Sequence, residues 1–117
     1  MRHRNNVPKL KREASHRNAL IRNQVASLIL HERIVTTDAK AKALQNAFES
    51  MIASLKGKEL FNQIRELKSF LYTEASSRKV IEVLLERFKD RSSGFTRRVK
   101  VGLRKGDGAS LVLIELV

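Results

Sequence analysis

Apolar residues recur at helical spacing through the middle of the chain: Ala41, Leu44, Phe48, Met51, Ile52 and Leu55. This stripe constrains the fold most, because a helix with one continuous apolar face must bury it against other elements. Thr37 is placed to cap that helix and Gly57 to end it. Met and Phe at this spacing belong to a core rather than to a cofactor box. Three further segments carry the same period. Ser15 predicts the cap of a helix running to about Glu32, with Ile21, Val25, Leu28 and Ile29 as its stripe and Leu20 and Leu30 widening it. Leu60, Ile64, Leu67 and Leu71 predict a third helix. Ser76 or Ser77 predicts the opening of a fourth, with Val80, Ile81, Leu84, Leu85 and Phe88 inward.

Between and after these helices the period changes. Residues 33–36, Arg-Ile-Val-Thr, read as a short β-branched strand. Arg91-Ser-Ser-Gly94 reads as a turn, and residues 95–103 alternate as a strand. The alternation places Phe95, Val99, Val101 and Leu103 on one face and Thr96, Arg98 and Lys100 on the other. Arg97 interrupts the apolar face near its start. Residues 104–109 form a turn-rich connection to an apolar strand at 111–116. The last two strands are expected to pair as a hairpin, with the Ile34 strand as a third member. The order is α-β-α-α-α-β-β, an α+β fold with helices packed on a small three-stranded sheet. At 117 residues the chain suits one compact domain. We expect that domain over residues 15–117, preceded by a basic N-terminal arm at residues 1–14.

Charge divides the chain differently. Residues 1–22 hold seven Lys or Arg and a single acid, Glu13. Residues 38–90 hold ten basic and eight acidic residues, a nearly balanced middle. Residues 91–105 then gather Arg91, Arg97, Arg98, Lys100, Arg104 and Lys105 with no acid among them. A formal net charge of +12, concentrated at two places, calls for a polyanionic partner. Arginine outnumbers lysine in both clusters, which favours forked contacts to phosphates.

The remaining composition narrows the choice of polyanion. No apolar run approaches the ~18 residues of a membrane span, and the basic stretch lacks Trp or Phe anchors for a membrane surface. An Arg-rich, acid-poor amino terminus is also found in organellar presequences, but serine is scarce here. The helices are mostly committed to a core, which disfavours a recognition helix that reads DNA bases. Aromatic residues are only 5% and lie mostly on core stripes, which disfavours stacking of unpaired bases. The expected mode is contact with the backbone and shape of folded RNA. Six to eight engaged phosphates would give a log–log salt slope of about −4 to −7.

Catalytic signals are weak. His31-Glu32 begins like a zinc-protease motif, but Val35 stands where the second histidine would be. His3, His16 and His31 lack metal-ligand spacing, and the chain has no cysteine for a metal site or a disulfide framework. Gly106-Asp107-Gly108 lies between two strands rather than between a strand and a helix, so turn geometry explains it better than nucleotide binding. No enzyme activity, cofactor, metal or small-molecule substrate is expected.

Several short motifs occur in a telling order. They are Met1-Arg-His-Arg4, Lys9-Leu10, His16-Arg17, Leu20, Arg22-Asn23, Leu28 through His31-Glu-Arg-Ile34, Thr36-Thr37 and Ala39-Lys-Ala-Lys42. Near the end come Gly94-Phe-Thr-Arg97, Gly106-Asp107, Ala109 and Ile114-Glu-Leu116. Across essentially the whole chain this pattern resembles the bacterial-type ribosomal large-subunit protein seventeen family. The resemblance implies a structural constituent of the large ribosomal subunit, bound to large-subunit rRNA near the peptide exit side. It implies neighbouring large-subunit ribosomal proteins as further partners and no membrane. The location it implies is the cytoplasmic ribosome, with a mitochondrial or plastid ribosome as the alternative.

Carried over by position, Arg2, His3, Arg4, Lys9, His16, Arg17, Arg22 and Arg97 fall on matched motifs and are expected to contact rRNA. Lys11, Arg12, Arg98, Lys100, Arg104 and Lys105 join them on the charge argument alone. The chain departs from the family at four places: Val7 and Lys11 stand where glycines are usual, Ser93 where a second glycine is, and Phe95 where tyrosine is. Val7 and Pro8 stiffen the arm.

Overall fold

A computed structural model of the chain describes residues 3–4 and 6–117. Four helical rods pack on one face of a three-stranded sheet. Helix α1 spans Ala14–His31, strand β1 Arg33–Thr37, helix α2 Asp38–Leu55 and helix α3 Leu60–Phe70. The fourth rod, α4, opens as Glu74–Lys79, passes through a π-helical stretch at Val80–Leu84 and closes at Leu85–Arg87. Strands β2 (Thr96–Leu103) and β3 (Ser110–Leu116) follow. The sheet order is β1-β3-β2 and both pairings are antiparallel, so the last strand lies in the centre. The expected α+β class and element order are therefore present.

The stripe on α2 is buried throughout. It meets Val25, Leu28 and Ile29 of α1, Val80, Leu84 and Phe88 at the end of the chain's helical part, and Ile114 and Leu116 of β3. Phe88 sits at the centre, edge-on to Phe48 with centroids 6.5 Å apart and tilted against Phe95 at 5.1 Å. Each such fully buried side chain contributes about 1.5–3 kcal/mol relative to an exposed one. Helix α3 is different. Leu67 and Leu71 reach the core, while Leu60 is 57% exposed and Ile64 is also on the surface. Its apolar packing on the body is confined to its C-terminal end, while Gln63 and Glu66 tie its middle to the end of α2 by hydrogen bonds to the Leu55 carbonyl (3.0 Å) and Ser54 (2.5 Å).

The helix starts differ from those the caps predict. α1 begins at Ala14 with Glu13 as the N-cap, so Ser15 lies inside the first turn. Thr37 is the N-cap of α2, but its hydroxyl makes no capping bond. The fourth rod opens at Glu74, ahead of Ser76 and Ser77, because Thr73 takes the cap position. Ser76 is buried and spends its hydroxyl on Thr73, 2.6 Å from that hydroxyl and 2.9 Å from the carbonyl. At its other end α1 stops at Glu32, whose φ of +63° turns the chain into β1. The Glu32 N–H still donates to Leu28 (2.8 Å), and its carbonyl accepts the Leu116 N–H (3.0 Å). Its carboxylate meets Arg87 at 3.0 Å and Lys79 at 3.2 Å, joining α1, β3 and α4 at one residue.

Strand register decides which side chains face the helices. Ile34 pairs with Ile114 and Thr36 with Val112, while Thr96 pairs with Leu116 and Arg98 with Ile114; these positions share the helix-facing side. Arg33, Glu115 and Arg97 form a row on the opposite face, followed by Val35, Leu113 and Val99. The expected apolar face of β2 is thus not the inward one. Phe95 is buried, but it precedes the strand, and the buried residue of the strand itself is Thr96. Val99 faces away from the helices, and an irregularity between Lys100 and Gly102 then shifts the alternation. Leu103 consequently pairs with Ser110 and is 72% exposed.

Candidate nucleic-acid interface

The first cationic patch is built on the start of α1. Arg2 lies outside the described residues. His3, Arg4, Lys9, Lys11 and His16 are exposed, and no acidic side chain among the described residues pairs with them. A turn at residues 9–12 precedes the helix, closed by the Arg12 N–H donating to Lys9 at 3.1 Å. Arg12 folds its guanidinium onto the Leu10 carbonyl (2.8 Å), and Arg17 reaches the Arg12 carbonyl (3.5 Å). Both arginines therefore brace the turn and sit half-buried. Leu10 and Lys11 have φ of +52° and +54°, the left-handed region that glycine enters without cost. A glycine at position 11 would adopt that conformation without the strain that lysine bears there. Arg22 lies further along α1, with its guanidinium over the rings of Phe70 (5.6 Å) and Tyr72 (5.8 Å). This cation–π contact holds it against the end of α3.

The second patch is the hairpin. Residues 91–105 are free of acids in sequence, but the fold brings a carboxylate to each of Arg97, Arg98 and Arg104. Arg97 grips Glu115, with Nε 2.8 Å from Oε1 and a second, shorter bond from its terminal nitrogen. Arg33 holds the other oxygen of Glu115 at 2.7 Å. Arg98 approaches Asp38 at 3.7 Å. Arg104 makes a forked pair with Asp107, at 3.0 and 2.7 Å. Asp107 also accepts the Ala109 N–H at 3.2 Å, and the loop closes with Gly108 at φ +68°, so the Gly-Asp-Gly segment is a turn. The forked Arg104 bond, then the Ala109 N–H, hold the Asp107 carboxyl far below the usual carboxylate range. Lys100 and Lys105 are exposed and make no ion pair among the described residues.

Glu115 is nearly covered, its side chain 9% exposed, whereas Arg33 and Arg97 remain about two-thirds exposed at 67% and 68%. One carboxylate thus splays two guanidiniums side by side on the open face of the sheet. Their outward N–H groups remain available to phosphate oxygens. The bonds from Arg97, then Arg33, keep the Glu115 carboxyl below its ordinary value. Arg33 escaped the sequence reading because only the β1-β3-β2 register sets it beside Arg97. Lys42 escaped as well; it approaches Asp38 at 3.8 Å beside Arg98. Phe95 is buried against Phe88, with the Lys56 ammonium 5.1 Å from its ring, so the phenylalanine-for-tyrosine departure falls inside the body.

No helix of the described residues is long and apolar enough to cross a membrane. Comparison with known families matches residues 20–117 to ribosomal protein L17. The chain belongs to the ribosomal protein L17 family. The match takes in α1 from Leu20 onward, every later helix and the whole sheet. Full-length relatives extend it through the arm. A large ribosomal subunit protein bL17 of Trichlorobacter lovleyi is 45% identical over all of this chain and 94% of its own length. Those of Zymomonas mobilis and Desulfotalea psychrophila are 47% and 44% identical over all of this chain, covering 83% and 90% of their own lengths. Membership of a ribosomal protein family, rather than an enzyme family, agrees with the weak catalytic signals of the sequence.

Proposed function

We propose that this L17-family protein is a structural constituent of the large ribosomal subunit that binds large-subunit rRNA through two basic surfaces. One is the arm with the start of α1, carrying Arg2, His3, Arg4, Lys9, Lys11, Arg12, His16, Arg17 and Arg22. The other is the hairpin, carrying Arg97, Arg98, Lys100, Arg104 and Lys105. The observation that carries this reading is the open arm. His3, Arg4, Lys9, Lys11 and His16 are exposed and unmatched by any acid among the described residues, on a chain of net charge +12. Phosphates are the ligand that such a surface neutralises best. The relatives are named as large-subunit proteins of bacteria, which favours the bacterial cytoplasm over an organellar ribosome. Neighbouring ribosomal proteins near the exit side would complete its surroundings.

The test is a salt titration of binding to large-subunit rRNA fragments. The full chain is compared with one in which Arg2, Arg4, Lys9, Lys11 and Arg12 are all replaced by glutamine. Losing five phosphate contacts flattens the log–log slope by about 3.5 to 4.5, with the circular-dichroism spectrum unchanged. Equal affinity and equal slope for the two proteins would refute the role of the arm.

A further inference from the structure

The face of the hairpin that looks toward α2 carries a cationic group separate from the arm and from Arg97. Arg98 and Lys100 occupy β2 positions paired with Ile114 and Val112, so both project toward the helices. They reach past the covered part of the sheet to the first turn of α2. There, with Asp38, Lys42 and Val112, they line an open concavity of about 280 Å³. Asp38 is its only acid. Its two oxygens lie 3.7 Å from the Arg98 terminal nitrogen and 3.8 Å from the Lys42 ammonium. Charge-assisted hydrogen bonds are about 2.7–2.9 Å long, so neither cation has committed its N–H groups to the carboxylate. Lys100 has no ion-pair partner among the described residues. Three cations therefore surround one carboxylate, with donors unspent and room between them.

We propose that Lys42, Arg98 and Lys100 form a seat for a single RNA phosphodiester on the helix side of the hairpin. This rests on the RNA-binding reading above and adds Lys42, which that reading does not include. A phosphate in the concavity accepts the forked guanidinium of Arg98 and the two ammonium groups, displacing the loose contacts of Arg98 and Lys42 with Asp38. Arg97 points to the opposite face of the sheet. Phosphates bound at Arg97 and at this seat consequently lie on opposite sides of β2, and the hairpin is gripped on both. The rival role for these residues is a strut in which Asp38 merely ties α2 to β2.

Salt titrations of the full chain with large-subunit rRNA fragments separate the two roles. With a seated phosphate, Lys42→Gln flattens the log–log slope by about 0.7–0.9 and leaves the melting temperature unchanged. Arg97→Gln flattens it by a similar amount, and the double variant by about the sum, because the two contacts are independent. Asp38→Asn strengthens RNA binding several-fold, since a carboxylate no longer competes with the phosphate. A Lys42→Gln protein with the wild-type slope, alongside an Arg97→Gln protein with a reduced one, would overturn the seat and leave the RNA reading standing. Wild-type protein without salt-dependent rRNA binding would overturn both.

Discussion

Arg97 and Glu115 face each other across β2 and β3, with the guanidinium Nε 2.8 Å from the carboxylate. Arg33 closes on the other oxygen from β1, so one nearly covered acid links all three strands of the sheet. Replacing Glu115 by glutamine keeps the shape but removes the charge that holds two guanidiniums together. Glu115→Gln is expected to lower the melting temperature by several degrees. It should also weaken rRNA binding, despite making the protein more positive, because Arg33 and Arg97 lose their fixed geometry. Calorimetry and a binding titration on the same variant check both effects. Stronger RNA binding would mean that added charge matters more than orientation.

Glu32, Glu66 and Glu115 all have carboxyl groups held below the ordinary value of 4.5. The leading causes are hydrogen bonds from Arg87 to Glu32, from Lys58 to Glu66 and from Arg97 to Glu115. A folded-state value below the unfolded one means that the folded protein binds fewer protons through this range. The stabilisation is therefore fully present above pH 4.5 and is lost as pH falls through the depressed folded values. Urea denaturation at a series of pH values should show stability level near neutrality and declining below about pH 5. Glu32→Gln should make that decline shallower, since it removes one of the depressed carboxyl groups.

Phe88 touches both Phe48 and Phe95 at the point where α2, α4 and the start of β2 converge. Phe88→Ala leaves a cavity among three elements that cannot all close on it. The expected cost is about 3–5 kcal/mol, measured as a shift in the denaturation midpoint at unchanged slope. Phe61→Ala is the control: Phe61 is 69% exposed on α3, and its loss should cost under about 0.5 kcal/mol.

Much of the fold is legible in apolar spacing. The stripes of α1, α2 and the fourth rod face the core as their periods require, and the three strands occur where β-branched alternation placed them. The misread details arise from competition that spacing cannot express. Ser15 and Ser76 are good capping residues, but Glu13 and Thr73 already occupy the cap positions. β2 alternates convincingly, yet Phe95 lies before the ladder and an irregularity at Val101 resets the faces beyond it. α3 has a full apolar stripe but packs only its last turns, leaving Leu60 and Ile64 on the surface.

The candidate site divides along the same line. Net charge, the acid-poor arm and the acid-poor segment at residues 91–105 are properties of the linear chain, and they suffice to call for a polyanion. Which cations remain open is settled only by tertiary structure. Glu115 lies 18 residues from Arg97 and 82 from Arg33, and Asp38 lies on a different element from Arg98, so no local pattern foretells these pairs. Apolar burial follows a short period that each segment carries in itself. Charge pairing depends on register between strands and on where a helix begins, and those are settled only when the elements pack together.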